Sequence, residues 1–295
     1  MRWAEAFIAV DWGTTNRRAY RVAESGECVA EFEDDRGILS LSKADIPAEV
    51  EAIRARLGDL PLLLAGMIGS RNGWVEAPYV PCPAGVDDLA ARLIWVDDER
   101  AAIVPGLSVS GEGRADVMRG EEVQLFGAHA AGLIPDACLV CHPGTHNKWI
   151  RLDDGRITSF RTVMTGELFK LLREHGVLAD LIGGDVSPDD SFREGVRRGL
   201  EEGILTAELF TVRARVLLGQ LAHDDAASFT SGLLIGADIG LGLNLAGEAD
   251  PIVMGRPELT GLYAAALAEA GRMVREVDGE AAFLGGATEI ARKIR

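Results

Sequence analysis

Short apolar runs separated by turn residues open the chain and predict a series of β-strands. In the first 104 residues these runs lie at 7–10, 17–22, 29–32, 61–65, 94–96 and 102–104. Runs of this length, bounded by glycine or charged residues, are typical of strands in a buried sheet. A helix is predicted next, at residues 121–131.

The strand pattern then begins again, which indicates an internal duplication. Strands are predicted at residues 137–141, after the turn at 143–148 as far as residue 152, and at 156–163. When the two copies are aligned, Gly13 corresponds to Gly144, an offset of 131 residues. Asn16 falls on Asn147 at the same offset. Two copies of one strand–turn–strand unit predict two similar lobes that face each other, at residues 1–130 and 131–295.

The remainder of the chain is predicted to be mostly helical. Helices are expected at residues 165–175, 189–202, 205–221, 226–245, from 257 onwards and at 281–294. Two further strands are expected at residues 251–254 and 272–277. Alternation of this kind predicts an α/β protein.

Composition limits the partners that the protein can have. The contents of 47% hydrophobic and 26% charged residues are ordinary for a globular protein. A net charge of −16 disfavours nucleic acid and anionic membranes as partners. No apolar stretch is expected to approach the roughly 20 residues that span a bilayer, and residues 6–10 are too short a run for a signal sequence. We therefore expect a cytoplasmic protein with no nucleic-acid or membrane partner.

The four cysteines are too few for a disulfide scaffold in a chain of this length. Cys138 and Cys141 form a C-x-x-C pair, a pattern that elsewhere indicates zinc or redox chemistry. The pair lies in a predicted strand, where residues three apart point to opposite faces of the sheet. These two thiols are therefore expected to be small core residues.

The first repeated turn has the chemistry of a phosphate site. Asp11 ends a buried strand, and a carboxylate there needs a cation or strong donors. Gly13 allows a tight turn and a close approach to a ligand, while Thr14 and Thr15 add hydroxyls beside backbone N–H groups. An ordinary hairpin turn explains these residues equally well, and the recurrence at Gly144 and Thr145 favours phosphate.

Six segments together resemble the 2-keto-3-deoxygalactonate kinases, compact members of the sugar kinase, heat-shock protein and actin superfamily. They are DWGTTNRR (residues 11–18), GMIGSRNGWVEAPY (66–79), MRGEE (118–122), PGTHNKW (143–149), FRTVMTGE (160–167) and SGLLIG (231–236). The resemblance covers essentially the whole chain. It implies two ribonuclease-H-like lobes with mixed five-stranded sheets flanked by helices, and a cleft between them that holds ATP and Mg²⁺. The implied reaction is phosphorylation of 2-dehydro-3-deoxy-D-galactonate at its 6-hydroxyl.

The resemblance also implies which residues form the nucleotide site. Asp11 would hold Mg²⁺ through a water molecule. The remaining nucleotide-binding residues are expected to be Gly13, Thr14, Thr15, Asn16, Gly144, Thr145, His146, Lys148 and Gly255. Arg256 follows Gly255 where the superfamily commonly has a small residue.

The acceptor hydroxyl needs a carboxylate that takes its proton. Related sugar kinases have this base near the start of the helix that precedes the second phosphate strand, and Glu121 is favoured here over Glu122. Asp116 and Glu167 are alternatives. The substrate-binding residues are expected to be Met67, Ser70, Arg71, Trp74, Tyr79, Arg119, Arg161 and Glu167, with an arginine fork on the substrate carboxylate.

Other functions remain open at this level. A superfamily nucleotide hydrolase would share both Gly-Thr turns but would lack a sugar-acid pocket. A kinase of another keto-deoxy sugar acid would share nearly everything, because the galactonate-derived and gluconate-derived acids differ only at C4. A sugar-sensing repressor would need a DNA-binding arm. The small-molecule partner is expected to be a sugar acid, and a homodimer is one option for the assembly.

Overall fold

The computed structural model describes residues 3, 6–111, 113–201, 203 and 205–294. The chain divides into two compact units. Unit 1 comprises the described residues within Met1–Ala137, Leu152–Phe160 and Gly279–Arg295, and unit 2 comprises those within Cys138–Arg151 and Arg161–Asp278. The final helix therefore belongs to unit 1, which differs from the simple division at residue 130 that the sequence suggested.

Unit 1 contains a six-stranded sheet with the strand order β3-β2-β1-β4-β7-β6. Strands β1 and β2 pair antiparallel, as do β2 and β3, whereas β1, β4 and β7 run parallel. A separate three-stranded sheet has the order β5-β8-β9. The nine strands are Ala6–Trp12 (β1), Arg17–Ala23 (β2), Cys28–Asp34 (β3), Leu62–Gly66 (β4), Val80–Pro81 (β5), Ile94–Val96 (β6), Ala101–Ile103 (β7), Leu107–Gly111 (β8) and Arg114–Met118 (β9).

The second sheet repeats this order with five strands, β12-β11-β10-β13-β14. Strand β13 runs parallel to both β10 and β14, as β4 does to β1 and β7. The duplication predicted from the sequence is thus confirmed in the topology, and the first sheet differs from it by one added edge strand. The five strands are Cys138–His142 (β10), Asn147–Asp153 (β11), Arg156–Val163 (β12), Ile252–Gly255 (β13) and Arg275–Asp278 (β14).

Nine α-helices are found among the described residues, and the sequence predicted most of them to within a few positions. The two helices that were not predicted are Ile46–Leu57 and Val86–Ala90. Three single 3₁₀ turns lie at Ile38–Ser40, Met67–Gly69 and His223–Asp225. The helices are Ile46–Leu57 (α1), Val86–Ala90 (α2), Glu121–Ala130 (α3), Thr165–Glu174 (α4), Asp190–Gly199 (α5), Leu205–Leu217 (α6), Ala226–Ala246 (α7), Pro257–Glu269 (α8) and Gly279–Lys293 (α9).

Helix α9 joins unit 1 because glycines let it lie directly on α3. A Cβ atom built on Gly286 would be 1.9 Å from the backbone oxygen of Val123, and one on Gly127 would be 1.8 Å from that of Ala282. Only hydrogen fits at these positions. Contact between the helix backbones therefore brings the C-terminal segment back to the first unit.

Helices α5 and α7 are packed in the same way in unit 2. A Cβ atom on Gly232 would lie 2.0 Å from the backbone oxygen of Phe192, and one on Gly195 would lie 2.2 Å from that of Phe229. Such distances are far shorter than van der Waals contact. The SGLLIG segment is therefore, at least at Gly232, a helix-packing element.

Two alanine substitutions in α7 are expected to have opposite effects on stability. Gly232→Ala forces α5 and α7 apart and is expected to lower the free energy of unfolding by about 3 kcal/mol or more. A Cβ on Gly240 meets nothing within 4 Å, so Gly240→Ala is expected to raise it by about 0.5–1 kcal/mol through helix propensity. Urea denaturation measures both. Equal effects of the two changes would contradict the packing argument.

The segment His223–Ala246 corrects one expectation. It is long and apolar enough, by length and composition, to cross a membrane, although no such stretch was expected from the sequence. In the structure 78% of its apolar window is buried inside the protein. Its apolar character is that of a core helix, which forms the centre of unit 2.

Candidate active site

The first phosphate-type turn, residues 13–16, is held in shape by backbone hydrogen bonds. The Gly13 N–H donates to the Asn16 oxygen at 2.9 Å. The adjacent 3₁₀ segment covers one side of the turn, because the N–H groups of residues 37, 38 and 39 donate to the oxygens of residues 15, 13 and 14 at 3.0, 3.1 and 3.0 Å. The side chains of Thr14 and Thr15 are exposed. The turn is therefore rigid on its covered side and open on the other.

Gly37 is a requirement of this turn that sequence reasoning missed. A Cβ atom on Gly37 would lie 2.3 Å from the Thr15 carbonyl carbon. The two backbones are thus in direct contact, and no side chain fits. The available signal was the Gly37 that ends the charged run after the third strand, but no local pattern shows which backbone it touches.

Asp11 and the start of α3 are brought to one edge of the first sheet. Asp11 is half-buried in β1, beside Ala65 of β4. A Cβ on Gly66, which ends β4, would lie 3.4 Å from Asp11 Oδ1, and one on Gly120 would lie 3.4 Å from the Gly66 Cα. The carboxyl ends of β1 and β4 and the N-terminus of α3 therefore converge.

This edge offers few ligands to a metal ion. Among the described residues there is no group of three or more His, Cys, Asp or Glu side chains that could hold one. Mg²⁺ commonly binds through one or two carboxylates, water and substrate phosphates rather than an all-protein cage. The single carboxylate of Asp11 fits a magnesium ion of that kind and does not fit an ion held by protein ligands alone.

The two adjacent glutamates at the start of α3 have different environments. Glu121 is partly exposed, and its Oε2 accepts from the Arg119 backbone N–H at 3.1 Å. Glu122 is completely buried, and both of its carboxylate oxygens accept from the Gly120 N–H, at 2.9 and 2.8 Å. Burial, and next the negative charge of Glu121, raises the pKa of Glu122 to about 7. Of the two, Glu121 is the one with access to a ligand.

Glu122 should make stability depend on pH. Because its pKa is raised from 4.5 to about 7 on folding, the folded protein binds this proton more tightly than the unfolded chain, and stability falls as pH rises through that interval. Glu122→Gln removes the titration. The stability of the variant relative to the parent is therefore expected to rise between pH 5 and pH 8, by at most about 3 kcal/mol.

Urea denaturation at the two pH values measures this effect. The matched control is Glu201→Gln, since Glu201 is exposed. A difference between Glu122→Gln and the parent that does not change with pH would contradict the burial argument.

Arg119 is the centre of a polar group beside the 66–79 segment. Its Nη2 donates to the Ala77 oxygen at 2.7 Å, and its guanidinium carbon lies 4.5 Å from the centre of the Tyr79 ring. Arg119 Nε and Nη1 and the Ser70 hydroxyl are buried and have no hydrogen-bond partner among the described residues. A buried donor without a partner is costly, so this group is suited to a polar or anionic ligand.

The other predicted substrate residues are not all part of this group. Met67 and Trp74 pack against the hydrophobic core of unit 1, which is the ordinary role of a core-edge turn. Arg71 is exposed on the same segment. Arg161 is exposed on β12 and Glu167 lies in the first turn of α4, both in unit 2.

The second turn, residues 143–146, lies against the N-terminus of α4. The Glu167 N–H donates to the Thr145 oxygen at 2.9 Å, and the Glu167 carboxylate is 2.5 Å from His146 Nε2. Gly255, at the end of β13, is close by, because a Cβ built on it would lie 3.8 Å from Pro143. The structure thus brings together Gly144, Thr145, His146 and Gly255.

Lys148 is anchored beside the second turn. Its side chain is buried, and Nζ donates to the His146 backbone oxygen at 2.8 Å. The ammonium group therefore stabilises the turn itself. The corresponding residue of the first copy, Arg17, is also buried, in ion pairs with Asp34 and Glu49 at 2.7 and 2.9 Å.

Asp238 forms a buried network behind the second turn that sequence reasoning missed. It accepts from Asn147 Nδ2 at 3.0 and 2.9 Å, Trp149 Nε1 at 2.7 Å, Thr165 Oγ1 at 2.5 Å and the Tyr263 hydroxyl at 2.6 Å. Burial raises the pKa of Asp238, and these donors act against that rise. The available signal was a lone charge in an otherwise uncharged helix.

An apolar cavity of about 220 Å³ lies beside the second turn, within unit 2. Gly144 and Gly166 form one wall, and apolar side chains of α7 and α8, including Leu234, Leu259 and Leu262, form others. Apolar pockets with few polar groups are the usual form of small-molecule sites. This cavity is suited to a flat, largely apolar group attached to an anion at the turn.

The chain is similar to known proteins over almost its whole length. The family model described as 2-keto-3-deoxy-galactonokinase matches residues 11–290. The 2-dehydro-3-deoxygalactonokinase of Escherichia coli (strain K12) is 38% identical over 292 residues, which cover 98% of each chain. A crystal structure from Sinorhizobium meliloti that carries the same enzyme name has a TM-score of 0.88 at 36% identity, with 98% of this chain and 99% of that one covered.

A more distant structure shows the fold alone. The activator of 2-hydroxyisocaproyl-CoA dehydratase from Clostridium difficile, solved with bound ADPNP, has a TM-score of 0.52 at 13% identity and covers 97% of this chain and 94% of its own. The two-unit actin-like architecture expected from the sequence is thereby confirmed.

Proposed function

Since the chain belongs to the 2-keto-3-deoxy-galactonokinase family, we propose that it is a carbohydrate kinase that transfers the γ-phosphoryl group of ATP to the 6-hydroxyl of 2-dehydro-3-deoxy-D-galactonate, in galactonate catabolism. The observation that carries the proposal is the match to this family over residues 11–290. The duplicated glycine-threonine turns and the polar group around Arg119 support it with the two kinds of site that the reaction needs.

The nucleotide contacts are proposed to come from both turns. Backbone N–H groups and hydroxyls at residues 13–16 and 144–146 are suited to phosphate oxygens. The apolar cavity beside Gly144 would accept the purine base, with Gly255 at its edge. Asp11 would hold Mg²⁺ through water, and a bound magnesium ion would neutralise charge on the phosphates.

The sugar acid is proposed to bind in unit 1. Arg119 would bind the substrate carboxylate, since it is positively charged and its Nε and Nη1 donors have no partner among the described residues. Glu121 would accept the proton of the attacking hydroxyl as its oxygen forms the bond to phosphorus and ADP leaves. The partial exposure of Glu121 supports this role, because a base must reach its substrate.

A panel of acceptors tests the function. ADP release is measured with the galactonate-derived acid, the gluconate-derived acid that differs at C4, and no acceptor. We expect kcat/KM at least about tenfold higher for the galactonate-derived acid. A higher value for the gluconate-derived acid would favour a kinase of another keto-deoxy acid. Equal ADP release without acceptor would indicate a nucleotide hydrolase.

Arg119→Lys tests the carboxylate contact. Lysine keeps the charge but lacks the Nε and Nη1 donors of the guanidinium group, so KM for the sugar acid is expected to rise about tenfold while KM for ATP is unchanged. Arg71→Lys, in the same segment but exposed, is the matched control and separates the two arginines. A larger effect at Arg71 would transfer the contact to that residue.

The cellular location and the oligomeric state of the enzyme are also proposals. We propose a cytoplasmic location, with which the acidic composition is consistent, and a homodimer as the assembly to be tested. Size-exclusion chromatography with light scattering, applied to the purified protein, measures the assembly directly, and a monomer at micromolar concentration would exclude the dimer.

A further inference from the structure

Asp238 is an isolated charge in the most buried helix of the protein. It is the single charged residue of α7 and is 2% exposed. A carboxylate in such a place is strongly destabilising unless donors saturate it. The role of Asp238 therefore depends on the groups that donate hydrogen bonds to it.

Four neutral side chains supply the donors. Asn147 and Trp149 come from β11, Thr165 from the start of α4, and Tyr263 from α8. All four are buried. An ionised carboxylate accepts from all of them at once, whereas an amide in its place would set its own N–H group against at least one donor.

Three of these four donors belong to segments that form the proposed nucleotide site. Asn147 directly follows the second turn. Thr165 precedes Gly166, on which a Cβ would lie 2.5 Å from the Gly144 oxygen. Thr165 and Tyr263 both line the apolar cavity, and their hydroxyls donate to Asp238. One carboxylate thus connects the turn, the N-terminus of α4 and α8.

We propose that Asp238 is a positioning residue for the nucleotide, which holds the second turn and the two cavity walls in their binding arrangement. This inference rests on the proposed function, since it takes the turn and cavity as the ATP site. All four side chains that donate to Asp238 belong to unit 2. Loss of its charge should therefore weaken ATP binding and leave the sugar-acid site in unit 1 intact.

Asp238→Asn tests the proposal through a split between the two substrates. We expect KM for ATP, and Kd for ADP by calorimetry, to rise at least about tenfold. The KM for the sugar acid and kcat at saturating ATP should stay within about threefold. The control is Asp189→Asn, which removes the charge of the α5 cap, also in unit 2. If Asp238→Asn only destabilised unit 2, its KM for ATP would equal that of Asp189→Asn once the two variants are compared at the same loss of Tm.

Tyr263→Phe is the second variant, and it decides the matter if Asp238→Asn does not fold. It keeps the ring in the cavity wall and removes only the hydroxyl that faces Asp238. We expect KM for ATP to rise about threefold or more with no change for the sugar acid. Unchanged ATP affinity in Tyr263→Phe, or equal losses for both substrates in Asp238→Asn, would overturn the proposal. A parent protein that binds no ATP would instead overturn the proposed function.

Discussion

Glu121→Gln is expected to lower kcat by about 10²–10⁴-fold, the usual contribution of a general base. Glutamine keeps the size of the side chain and can still accept the Arg119 N–H bond through its amide oxygen. It cannot take the proton of the acceptor hydroxyl. Because that hydroxyl is still bound, KM for the sugar acid should change little, and steady-state kinetics separates the two parameters.

Glu122→Gln is the matched control for that experiment. Glu122 is completely buried and both of its oxygens face the Gly120 N–H, so its replacement should alter stability much more than kcat. Assays are made at a temperature where both variants are folded, as judged by circular dichroism. Near-native turnover in Glu121→Gln would refute the assignment, and a collapse only in Glu122→Gln would transfer the base to its neighbour.

Gly144→Val is expected to lower ATP affinity by about 100-fold, which corresponds to about 3 kcal/mol. A side chain here would occupy the place where a phosphate must approach the backbone of the turn. The structure makes this substitution informative, because a Cβ on Gly144 meets nothing within 4 Å. The valine should therefore be accommodated in the free protein, and the loss should appear only in nucleotide binding.

Gly183→Val is the appropriate control, since Gly183 is exposed in unit 2 and a Cβ on it also meets nothing within 4 Å. Calorimetric titration with ADP and with a non-hydrolysable ATP analogue gives the affinities. Gly13→Val tests the other turn less cleanly, because a Cβ there would lie 3.1 Å from the Asn16 oxygen and affects folding as well. Unchanged affinity in Gly144→Val would remove the second turn from the nucleotide site.

The candidate site was predictable where its residues are close together in the sequence. The turn at residues 13–16 and its copy at 144–147 can be recognised from the local sequence, because a tight turn after a strand needs glycine within a few positions. Glu121 was found for the same reason, as a carboxylate at the beginning of a predicted helix. The roles proposed for these residues still await the experiments above.

Contacts between distant segments could not be predicted in this way. The hydrogen bond from Lys148 Nζ to the His146 oxygen could not be read from the repeat, because side-chain direction depends on the packing around β11. Gly37 covers the first turn through a backbone approach that no spacing rule indicates. Helix α1 was missed although Asp45 precedes it, Pro47 lies in its first turn and Gly58 follows it, which are the usual helix signals. Helix α2 has only five residues, too few for a periodic pattern.

The order of residues was enough to predict the duplicated strand–turn–strand unit, the two glycine turns and the family of the chain, because each depends on local patterns or on matches along the chain. The folded chain was needed to show that α9 packs on α3, that Arg119 contacts Ala77 and Tyr79, and that Asp238 joins three elements of unit 2. These contacts form when residues far apart in the chain exclude water together. Their energies depend on burial and on the geometry of hydrogen bonds, which the order of residues does not display.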